Sequence, residues 1–86
     1  MYCIELTIKL SPMPMVVQRK DYEEAKRLYS QIIQKIQLNN ERLLEITCEK
    51  VEDKKITILV SEIIAVQIYE KTSGSGSKRP GFSLQN

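Results

Sequence analysis

Histidine is absent from this 86-residue chain. That removes the usual general base near neutral pH and the commonest metal ligand. Glycine is almost as scarce. Gly74, Gly76 and Gly81 all follow Thr72, so the body of the chain has no loop of the kind that cradles phosphate. Cysteine is limited to Cys3 and Cys48, without the spacing of a zinc site or a histidine to activate a thiolate. Aromatic residues are few, and no stacking motif of the RNA-binding type occurs. No apolar run approaches the ~18 residues of a membrane-crossing helix. Met1 leads directly into alternating residues rather than a basic and then apolar leader, so a cytoplasmic protein is expected. Glu45 and Glu49 share a strand face and are the nearest approach to an acid–base pair, but outward carboxylates around Thr47 read more simply as a solvated surface. The expectation is a protein that is not an enzyme and carries no cofactor or metal.

Net charge is small too once it is located. The formal net charge is +2. Basic and acidic residues cancel over positions 1–71, and the whole excess lies in Lys78 and Arg79. A neutral body lacks the electrostatic footprint of a nucleic-acid binder.

What the chain does have is a change of hydrophobic period. Residues Tyr2 to Leu10 alternate, with Tyr2, Ile4, Leu6, Ile8 and Leu10 on one face. Ser11-Pro12-Met13-Pro14 breaks pairing, and Met15 to Arg19 returns as a short second strand. Asp21 then opens a helix as N-cap, with Glu24 three residues on in a variant capping box. Ala25, Leu28, Tyr29, Ile32, Ile33 and Ile36 make its apolar stripe. Glu23 and Arg27 have the spacing of an ion pair, and Asn39-Asn40 supplies a left-handed stop. Alternation resumes with Leu44, Ile46 and Cys48 inward, turns over Val51 to Lys54, and returns through Ile56, Ile58 and Val60. The same phase would bury Glu62, a costly outcome without a partner. A turn or bulge at Ser61-Glu62 is therefore expected before a last strand from Ile63 to Tyr69. The class is α+β: a small antiparallel sheet of four or five strands with one helix on one face, in the order β-β-α-β-β-β. One helix excludes the ferredoxin-like order, which needs two. Residues 1–71 form one domain in this reading, and 72–86, rich in Gly and Ser, a flexible tail. Cys3 and Cys48 fall on opposite sides of the sheet, so two reduced thiols are expected rather than a disulfide.

Several segments carry a resemblance. They are Met1-Tyr2-x-Ile4 with Thr7 and Lys9, Val17-Gln18-Arg19-Lys20, and Leu43-Leu44-Glu45-x-Thr47-Cys48-Glu49-Lys50. Lys54-Lys55-Ile56, Ser61-Glu62-Ile63 with Ala65-Val66, and Arg79-Pro80-Gly81-Phe82 after a Gly/Ser stretch add to it. Together they span nearly the whole chain, which resembles an uncharacterised family of short cyanobacterial proteins. The resemblance implies a cyanobacterial host and a cytosolic or thylakoid-facing setting. It brings no reaction, cofactor or catalytic residue with it.

Function is then expected from surface rather than chemistry. One helix covers one sheet face, and the other face shows mostly polar residues. If the last strand adds Ile63, Ala65 and Tyr69 to that face, then Val16, Leu59, Ile63 and Tyr69 form an apolar patch suited to a protein partner or a second copy. Scattered apolar surface residues, which need no explanation, account for the same four about equally well. The alternative function is weak RNA or DNA binding through basic pairs, with Arg19, Lys20, Lys54, Lys55, Lys78 and Arg79 as contacts. Each pair in the body, however, has acids nearby in sequence. Phe82, beside Lys78 and Arg79, gives the tail a possible docking motif, although a charged, soluble end is the simpler reading.

Overall fold

A computed structural model describes residues 1–71. The Gly/Ser-rich tail, with Lys78, Arg79 and Phe82, lies outside the described residues. Strand β1 spans Tyr2–Ile8 and β2 Met15–Arg19. They pair antiparallel with Ile4 opposite Val17 and Leu6 opposite Met15. The expected face holds through Ile8 and then fails. Ser11 N donates to Ile8 O at 3.0 Å, which makes Leu10 the third residue of a tight turn with φ +64°. Leu10 is 97% exposed. The sequence reading carried it on the core face. The chain instead leaves the sheet two residues earlier, at Ile8, at roughly 1–2 kcal/mol for a left-handed leucine.

Helix α1 spans Tyr22–Leu38, and Asp21 caps it by accepting from Glu24 N at 3.2 Å. Asn39 stops it in the left-handed region, its N–H donating to Lys35 O. Ala25, Leu28 and Ile32 are buried, with Ile36 packed against them. On the outer side Arg27 pairs with Glu24 rather than with Glu23, the partner its spacing suggested. Lys35 pairs with Glu41 just beyond the helix.

Strands β3 (Leu43–Thr47) and β4 (Lys55–Leu59) form an antiparallel hairpin. Its turn is closed by Lys54 N donating to Val51 O, with Asp53 at φ +66°. A single 3-10 turn, Val60–Glu62, follows where continued alternation would have buried a carboxylate. Strand β5, Ile63–Glu70, pairs antiparallel with β1. Its register shifts between Thr7, opposite Ala65, and Ile8, opposite Ile63, which leaves Ile64 as the extra residue of a bulge.

The described residues are therefore α+β, with one α-helix and five strands in the expected order. The strands divide into a sheet ordered β2-β1-β5 and the β3-β4 hairpin. Both sheets contribute inward side chains to one core with α1. Ile4, Leu6 and Val17 come from the first sheet, and Leu44, Ile46, Cys48 and Ile58 from the second. Cys48 belongs to this core. Cys3, 2% exposed, lies outside it, and both thiols are free.

Candidate interaction surface

The outer face of the three-stranded sheet is set by alternation along β1, β2 and β5. Cys3, Glu5 and Thr7 occupy the middle strand, with Val16 and Gln18 on one side and Ala65, Gln67 and Tyr69 on the other. Val16 and Tyr69, two of the four expected patch residues, thus share this face across β1. Leu59 is 42% exposed on the other sheet, opposite Leu43 in the β3–β4 ladder. Ile63 is 8% exposed and part of the core. The four do not form one patch. The bulge at Ile64 puts Ile63 inward and hands the exposed position to Ile64, which is 62% exposed.

The outer face carries polar contacts. The Tyr69 hydroxyl donates to Glu5 Oε1 at 2.8 Å. Burial, reinforced by the hydrogen bond and charge of Glu5 and by Cys3, raises the Tyr69 phenol well above its ordinary value. Gln18 Oε1 is buried without a hydrogen-bond partner among the described residues.

The cations expected for a nucleic-acid surface are mostly turned to internal work. Arg19 donates to Gln18 O at 3.0 Å and Thr47 O at 2.7 Å. Lys54 donates to Val16 O at 3.0 Å, and Lys55 lies 3.3 Å from Glu45. Lys20 is exposed, its backbone N–H held by Glu49 Oε1 at 2.8 Å.

These contacts expose a feature that sequence reasoning missed, the unequal edges of the three-stranded sheet. The outward groups of β2 are covered by the β3–β4 turn. Gln18 O accepts from Glu49 N, Gln18 N donates to Cys48 Sγ at 3.3 Å, and Val16 O accepts from Lys54. Burial alone pushes the Cys48 thiol up. The N–H groups of Val51, Gln18 and Lys50 directed at its sulfur, with the Lys54 charge, bring it below its ordinary value. No such cover lies along β5 among the described residues. The one sequence signal for this was the run from Ile63 to Tyr69, which carries no charge, proline or glycine.

Among the described residues no group of three or more cysteines and carboxylates is placed to hold a metal ion. No helix there is long and apolar enough to cross a membrane. No solved structure matches this chain. The chain is 78% identical, over the full length of both, to a UPF0367 protein of Prochlorococcus marinus strain NATL1A. It is 61% identical over 98% of both to one from strain SARG, and 55% identical to one from Synechococcus sp. strain CC9605, covering 99% of this chain and 78% of the relative. The model of the UPF0367 protein family matches residues 3–71, from the second residue of β1 through β5, and the chain belongs to that cyanobacterial family.

Proposed function

We propose that this chain is a non-enzymatic accessory module of the cytoplasm that works through protein contacts and self-associates. One observation carries the reading: large apolar side chains remain exposed beyond the core on a charge-balanced body. Ile64 stands out at the bulge, and Leu43 and Leu59 face each other on the uncovered side of the hairpin. A helix on one side of the strands leaves such surface to be covered by another molecule. A domain this small buries only about 60% of its unfolded surface, so association also adds cover that the chain cannot supply alone.

Nucleic-acid binding through Arg19, Lys20, Lys54 and Lys55 is the weaker reading, since Arg19 and Lys54 are directed at backbone carbonyls and Lys55 at Glu45. Salt separates the two. Sedimentation equilibrium over a concentration series should give a mass above that of the monomer that is largely unchanged between low and high salt. RNA binding would weaken steeply over the same range. A monomeric mass at every concentration, or an assembly that salt dissolves, ends the self-association reading.

A further inference from the structure

We propose that the outward edge of β5 is the seam along which two copies of this chain pair antiparallel, joining their three-stranded sheets into one. The proposal deepens the self-association reading and rests on it. Lys71 N donates to Met1 O at 2.8 Å. Strand alternation therefore turns the N–H and C=O groups of Ala65, Gln67 and Tyr69 toward β1. Val66, Ile68 and Glu70 direct theirs away from the sheet, where no backbone group of another described residue meets them. Sheet edges are ordinarily blunted by lysine, proline, short length or a covering segment. The β2 edge has its cover, and the β4 edge is five residues long and begins at Lys55. The β5 edge is eight residues long and uncharged from Ile63 to Tyr69.

Symmetry and charge select the occupant and its register. Outward groups fall on even-numbered residues, so two β5 edges exchange bonds only when even residues oppose even residues. The twofold axis must then pass through a residue that faces its own copy. An axis at Val66 would set Glu70 against Glu62 of the second copy, which lies in the 3-10 turn with its carbonyl turned inward to Lys9 N at 2.8 Å, so that end of the ladder could not close. An axis at Ile68 would shorten the overlap. An axis at Gln67 sets Val66 opposite Ile68, Ala65 opposite Tyr69 and Ile64 opposite Glu70. It also sets Lys71 opposite Ile63 of the second copy and puts no like charges face to face. Val66 and Ile68, partly buried at the margin of the core, gain cover from their mates.

The test uses the full chain. Val66→Pro removes an outward donor and leaves the β1–β5 bonds intact. Each dimer loses two donors, so sedimentation equilibrium should show affinity reduced on the order of tenfold or more. Independently, facing Gln67 residues would form a non-hydrogen-bonded pair with Cα atoms about 4.5 Å apart, within reach of a disulfide. Gln67→Cys should therefore cross-link to a dimer under diamide, while Ala65→Cys, whose mate is Tyr69, should not at the same concentration. If Val66→Pro fails to fold, the cysteine pair decides. A dimer untouched by Val66→Pro, or Gln67→Cys cross-linking no better than Ala65→Cys, overturns the seam and leaves self-association standing. A chain that is monomeric throughout overturns both.

Discussion

Strand β1 has a neighbour on each side, and the two neighbours end in opposite ways. The outward groups of β2 meet a sulfur, a backbone N–H and a lysine, all from the turn between β3 and β4. Those groups lie about thirty residues downstream, and each hydrogen bond contributes roughly 0.5–1.5 kcal/mol net. Strand β5 is the last described element, reached from β4 through only three residues of 3-10 turn. Nothing later among the described residues can lie beside it. The contrast teaches that an edge is closed by chain geometry rather than by the composition of the strand itself. β2 has its cover because a hairpin follows it and folds back, and β5 has none among the described residues.

The largest effect that would sharpen this contrast comes from within β5. Ile63→Asp places a carboxylate in the core beside the bulge and should abolish folding or cost more than about 4 kcal/mol. Leu59→Asp, on exposed surface, should change stability by less than about 0.5 kcal/mol. Urea unfolding of the two variants checks the difference. Similar stabilities would mean that the bulge at Ile64 is misplaced and that the inward and outward phases of β5 are exchanged.

That pair also marks where the sequence was legible. Alternation placed Ile4, Leu6, Leu44, Ile46 and Ile58 inward because each has a polar or differently placed neighbour that fixes the phase. The cost of burying Glu62 correctly called for a break before the last strand. At Ile63-Ile64 both residues are isoleucine, so hydropathy is blind to a one-residue slip, and the bulge that decides which one is buried is set by pairing with Thr7 and Ile8. Leu10 is similar. Its apolar side chain continues the pattern, while the turn that ends the strand is a backbone property. Asp21 and Asn39 were readable because capping is local chemistry. The edges were not, because Cys48, Glu49 and Lys54 reach β2 only through the tertiary fold. Val16 and Tyr69 lie on the outer face of the three-stranded sheet, but no sequence pattern could show that Leu59 sits on the other sheet.

Removing the cover of β2 should produce the next effects in size. Cys48→Ala leaves Gln18 N–H without its acceptor and opens a small void in the core, at about 1–3 kcal/mol. The thermal midpoint of a domain this size should fall by about 4–8 °C per kcal/mol. Lys54→Ala frees only Val16 O, which water can reach more easily, and should cost about 1 kcal/mol or less. A Lys54 variant less stable than the Cys48 variant would move the main closure of this edge from the sulfur to the ammonium.

The smallest predicted effect opposes the two sides of β1 through pH. Cys48, beside β2, has its thiol held below the ordinary value near 9, so in the interval between its folded and unfolded values the folded chain binds fewer protons than the unfolded one. Stability from this group therefore rises with pH across that interval, and is lost as pH falls through the folded value. Tyr69, on β5, has its phenol held above the ordinary value near 10. Above that pH the unfolded chain loses the proton first, so the stability it contributes is present below pH ~10 and declines as pH rises toward the folded value. Thermal midpoints of the wild type, Cys48→Ala and Tyr69→Phe at pH 7, 9 and 10.5 separate these slopes from those of the other tyrosines and lysines. Relative to the wild type, Tyr69→Phe should lose less stability above pH 10, and Cys48→Ala should lack the rise just below pH 9. Glu5→Gln, which removes the charge facing the phenol, should lower the folded value and so shrink the decline above pH 10. If it leaves that slope in place, Tyr69 is held by burial alone and the outer face of the sheet is less polar in effect than its contacts suggest.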